Sequence, residues 1–140
     1  MGANRTIQLT EGGASLESYF TFELLNASRD SSFREINAAA RSGAFEPPGV
    51  QPDQAAVEYA RAWERVEWET ARDHHAIFTE LQAAGVDIDP STDDVYAGNF
   101  STPNTYRNWN NFENFFTDQI ALNHSQVYMT RYHRMRAGRN

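Results

Sequence analysis

The chain has 140 residues, a formal net charge of −7, no cysteine, and twelve cationic side chains that are all arginine. This composition suits one domain able to bury roughly two-thirds of the surface its unfolded form exposes. It excludes disulfides, thiolate metal sites, cysteine nucleophiles, Schiff-base lysines and a P-loop lysine, and leaves carboxylates and histidines as the strong metal ligands.

Residues 1–13 carry a short β-like run, Thr6-Ile7-Gln8-Leu9-Thr10, closed by Gly12 and Gly13. A lone strand has nothing to pair with in a small helical chain, so this segment is expected to be an extended arm whose Ile7 and Leu9 meet a partner. No secretory apolar core precedes it, and no apolar run reaches bilayer length. The chain therefore reads as soluble, without membrane association, and as cytoplasmic or contained within a particle.

A helix rich in aromatics is expected over about 15–26, although the alternation Tyr19-Phe20-Thr21-Phe22 leaves a strand open. A second helix is expected over 32–42, opened by a Ser32/Glu35 capping box and stopped at Gly43, a residue that accepts the left-handed conformation. After the stiff connector Glu46-Pro47-Pro48-Gly49, Pro52 opens a long helix over 53–84, which Gly85 ends. Residues 86–103 form an acidic loop. Asp87, Asp89, Ser91, Asp93 and Asp94 alternate like calcium ligands, but Thr92 and Gly98 occupy the places where an EF-hand needs glycine and glutamate, which favours a solvated turn. Thr102-Pro103 then starts a last helix over 104–135. The expected fold is all-α, a bundle of about four helices in a single domain spanning 1–140.

On the long helix Tyr59, Trp63, Val66, Thr70, Ile77, Leu81 and Ala84 share one stripe, expected to be core, while Glu58, Arg61, Arg65, Glu69 and Arg72 form a solvated face. Glu67 and His74 fall on the flank of the core stripe. A buried carboxylate must protonate, pair or bind a metal. Glu23, Glu67, His74, Glu113 and His124 are therefore the candidate metal ligands, with Asn123 as a further polar partner. The Glu-x-x-His spacing of ferritin-like di-iron proteins is absent, which favours a satisfied core ion pair over a metal. His74 and His75 point about 100° apart and cannot chelate one ion together.

Val57, Trp68 and His75 form a minor apolar stripe. On the last helix Trp109, Phe112, Phe116, Ile120 and Val127 form one stripe and Phe115, Leu122 and Met129 another. A helix that is apolar on two sides needs a neighbour, so Phe115, Leu122, Met129, Val57 and Trp68 are expected at an interface. Arg131, Arg134, Arg136 and Arg139 complement the helix dipole, with nucleic acid the weaker alternative. No nucleophile elbow, phosphate-cradling loop or dinucleotide fingerprint is present, so neither a catalytic serine nor a cofactor is expected. The leading expectation is a non-enzymatic structural or interaction subunit of a homo- or hetero-oligomeric assembly, such as a virion, filament or multiprotein complex. The alternative is a helical-bundle enzyme or metal-binding protein with a carboxylate and histidine site around Glu67 and His74.

Overall fold

Five α-helices run through residues 16–87, 100 and 108–138, the part of the chain described by a computed structural model. They are α1 (Leu16–Ser28), α2 (Asp30–Ser42), α3 (Pro52–Ala83), α4 (Phe112–Ala121) and α5 (His124–Arg136). The protein is an all-helical bundle, as expected, and the strand alternative for the first segment is gone. Ile7, Leu9, Arg139 and the acidic loop beyond Asp87 lie outside the described residues.

Local chemistry places most of the boundaries. Pro52 opens α3 at a position where its missing N–H costs nothing. Gly43, at φ 80°, ends α2 by letting its own amide and that of Ala44 close on the carbonyls of Ala40 and Ala39, at 3.2 and 3.0 Å. The Ser32/Glu35 capping box is not used. The helix begins two residues earlier, with Asp30 supplying the first-turn negative charge and Arg29 reaching across to Asp73 on α3.

The expected single helix over 104–135 is two helices. Asn111 caps α4, its side chain accepting a hydrogen bond from the Glu113 amide at 2.8 Å. Asn123, in the left-handed region at φ 59°, breaks the helix after Leu122 and redirects the chain into α5. Asparagine tolerates this conformation better than most side chains. The break resets the helical phase, so residues before and after it do not share a wheel. The second apolar stripe comes from projecting two helices as one.

α3 is the spine and touches each of the other four helices. Its N-terminal half packs Ala55, Ala56, Tyr59 and Ala60 against Ala40 of α2 and Tyr128 and Tyr132 of α5. Its middle packs Trp68 and Ala71 against Phe100, Trp109, Phe112, Phe115 and Phe116. Small alanines on the first stretch let the helices approach closely, and aromatic rings fill the second.

Several expected exposures and burials are corrected. Trp68 and Phe115 are buried within the chain, Val57 packs against the same aromatic cluster, Met129 packs against the first cluster, and His75 stacks on Phe100. Trp68 and Phe115 are thus taken up by the chain's own core, while Val57, His75 and Met129 are half-buried. Ile77, Leu81, Ile120 and Val127, expected in the core, are exposed. The first two lie at the end of α3, where residues 79–87 are all exposed. The arginine face of α3 is not simply solvated, because Arg61 lies over Phe116, Arg65 over Phe112 and Arg72 over Trp68, covering the aromatic cluster. No described helix is long and apolar enough to cross a membrane.

Candidate metal centre

Between the two core clusters α3 carries two glutamates, Glu64 and Glu67, whose three-residue spacing puts them on adjoining rows of one helix face. The first turn of α5 meets that face. His124, Ser125 and Tyr128 project toward the carboxylates because the turn at Asn123 starts α5 directly opposite them.

Glu64 is 0% exposed. Its Oε1 accepts hydrogen bonds from His124 Nδ1 at 3.0 Å and from Ser125 Oγ at 2.7 Å. Its Oε2 is buried and has no hydrogen-bond partner among the described residues. Glu67 accepts a hydrogen bond from the Tyr128 hydroxyl on one oxygen, and the other lies 3.8 Å from His124 Nδ1. One ligand atom each from Glu64, Glu67 and His124 falls within 4.8 Å of the others. Metal–ligand distances of about 2.0–2.2 Å put ligand atoms roughly 3–4 Å apart, so small side-chain adjustments would close this triangle on a cation.

Burial, reinforced by the charge on Glu64, pushes the Glu67 carboxyl up to about 7, although the Tyr128 hydrogen bond opposes this. The hydrogen bond to Glu64 raises the His124 imidazole above its ordinary value against the pull of burial. Burial is also the main cause of the raised Tyr128 hydroxyl. Two carboxylates and one imidazole thus share a pocket in which no described arginine contacts either acid.

A cleft of about 390 Å³ opens beside the centre. Glu67, His124 and Glu23 line it, together with the apolar side chains Phe22, Phe115, Trp109 and Leu122. Glu23 is close enough for its charge to raise the Glu67 carboxyl further.

Of the five candidate ligands, Glu67 and His124 meet and Glu23 stands nearby. His74 does not join them. Its Nε2 lies 3.1 Å from the Ser18 hydroxyl and 3.2 Å from the Ser18 carbonyl, the ring packs beside Phe78 and Phe22, and burial lowers its basicity. His74 links α1 to α3 through Ser18 and stands apart from the Glu64, Glu67 and His124 cluster. Glu113 is exposed and paired with Arg61 at 2.6 Å. Asn123 is exposed, and it serves the turn and not the core.

The residue missed from sequence is Glu64, the most deeply buried member. On the wheel it lies within about 40° of Ala60, Trp68 and Ala71, all buried. Alanines give a weak apolar signal, so that arc did not stand out as core. Comparison with protein-family models, with curated proteins and with solved structures finds no match to this chain.

Proposed function

We propose that this protein is a helical-bundle metal protein that holds one first-row divalent cation between Glu64, Glu67 and His124. The observation that carries the reading is the unpartnered Oε2 of the fully buried Glu64, set beside a second carboxylate and an imidazole. Leaving a carboxylate oxygen buried without a donor is costly, and a cation satisfies it. Two ionised carboxylates with a neutral imidazole balance a charge of +2, and this mixed oxygen and nitrogen set suits manganese, iron or zinc. Ser125 and Tyr128 orient the carboxylates, as outer partners do in metal sites. Three protein ligands leave coordination positions for water or a small ligand, and the cleft adjoins Glu67 and His124.

The test is calorimetric titration of the chelator-treated full chain with Mn²⁺, Fe²⁺ and Zn²⁺ at pH 7.5. One-to-one binding, weakened about 100-fold by Glu64→Gln and unchanged by Glu113→Gln, is the expected result. A folded protein that takes up none of these ions would reduce the cluster to a proton-sharing ion pair.

A second reading, a structural subunit that assembles with copies of itself, has support from Ile120, Leu122 and Val127, which stay 45%, 51% and 57% exposed around the α4–α5 corner. Sedimentation of the full chain over a hundredfold concentration range separates the two readings. A concentration-independent monomer removes the second and leaves the first intact.

A further inference from the structure

Of the nine described arginines in a chain of net charge −7, four form ion pairs, and Arg65 and Arg72 lie over Phe112 and Trp68. Arg29 pairs with Asp73, Arg34 with Asp30, Arg61 with Glu113 and Arg136 with Glu46. Arg41, Arg131 and Arg134 form no ion pair with any described residue. All three line a single groove of about 910 Å³ between α2 and α5, and no carboxylate is among its described lining.

Dipole complementarity accounts for Arg41 in the last turn of α2 and Arg134 in the last turn of α5, but not for Arg131 in the middle of α5, nor for the meeting of all three on one groove. The rest of the lining is mixed. Val127 and Met135 offer apolar surface, while Asn37, Gln126 and Thr130 offer hydrogen-bonding groups. Val127 is 57% exposed and open to a ligand in the groove.

We infer that this groove binds a small organic oxyanion, a phosphate monoester or carboxylate on an apolar body, with Arg41, Arg131 and Arg134 holding the anionic group. Guanidinium groups make paired, charge-assisted hydrogen bonds to either oxyanion. The apolar body then lies along Val127 and Met135. The volume falls within the ordinary range for small-molecule sites. The inference is independent of the metal centre, although α5 supplies residues to both. The Arg131 guanidinium lies 4.6 Å over the Trp63 ring, and Trp63 stacks on Tyr128 at 5.0 Å. Occupancy of the groove should therefore be sensed at Trp63.

The full chain, chelator-treated so that the metal centre plays no part, is titrated with phenyl phosphate, benzoate and inorganic phosphate while the three tryptophan indole signals are followed by NMR. Saturable binding of phenyl phosphate or benzoate is expected, tighter than that of inorganic phosphate. It should shift Trp63, while Trp68 and Trp109, buried in the other aromatic cluster, stay in place. The tighter of the two organic probes names the oxyanion. Arg131→Gln should weaken binding about tenfold or more. Because that variant also loses the stack on Trp63, Arg134→Gln and Val127→Glu are measured beside it. Both alter exposed positions, and the second should weaken binding most, by placing a negative charge in the groove. Equal, weak responses to all three probes that no variant changes would mark an adventitious anion patch and overturn the inference. Preferential binding of a single-stranded oligonucleotide, falling steeply with salt, would overturn it in favour of a nucleic-acid surface.

Discussion

Tyr128 and Tyr132, one turn apart on α5, each donate a hydrogen bond to a glutamate, and the two contacts end in opposite electrostatic states. Tyr132 reaches Glu46 at 2.7 Å, and Arg136 grips the same carboxylate through two nitrogens at 2.9 and 2.8 Å. The Arg136 guanidinium holds the Glu46 carboxyl below its ordinary value. Tyr128 reaches Glu67, but what stands beside that acid is a second glutamate and a histidine. There burial wins and the carboxyl rises to about 7. A permanent cation of matching shape turns one contact into a structural latch. Where the only cation is a histidine and there are two acids, a charge is missing.

Supplying that charge covalently is the strongest way to break the contrast. His124→Arg should convert the centre into a second latch, with metal affinity falling more than about 100-fold and the metal-free protein melting at a higher temperature at pH 8. Retained metal binding in this variant would show that His124 is not a ligand.

The next effect is on stability against pH in the metal-free protein. A carboxyl whose folded pKa lies above its unfolded value stabilises the fold while protonated. The Glu67 contribution is therefore full below the ordinary glutamate range and is lost as pH rises through about 7. The loss is at most about 3 kcal/mol, and His124, also raised, adds to it in the same direction. The latch has the other sign, since the lowered Glu46 carboxyl stabilises above the ordinary range and is lost in acid. Chemical denaturation from pH 5 to pH 8 should thus show falling stability, and Glu67→Gln should flatten that slope.

Smaller effects separate the two tyrosines. Tyr132→Phe should cost about 1–2 kcal/mol without touching metal affinity, whereas Tyr128→Phe should weaken metal binding about tenfold. Equal metal affinity in both variants would remove Tyr128 from its orienting role. The smallest change belongs to the exposed Arg61–Glu113 pair, where Glu113→Gln should shift stability by no more than about 0.5 kcal/mol.

Residues whose structural meaning is local could be read in advance. Pro52, Gly43 and the amphipathic run from Tyr59 to Thr70 place α2 and α3 within a residue or two, because proline geometry, left-handed glycine and side-chain periodicity act over a single turn. That Glu67 needed a partner was also legible, since a carboxylate on an apolar flank is costly whatever lies opposite. His124 was among the candidates only because histidine is a ligand type; nothing near it in the chain ties it to α3.

Contacts between helices decided the rest. Asn123 adopts its left-handed turn in a stretch with no glycine or proline to announce it, and that one dihedral ends the wheel on which Phe115 and Leu122 seemed to share a stripe with Met129. The same turn brings His124 and Ser125 onto the fully buried Glu64, sixty residues earlier. Periodicity along a chain fixes which side chains share a face. Which face meets which, and so which charges are left unbalanced, depends on packing between segments far apart in sequence.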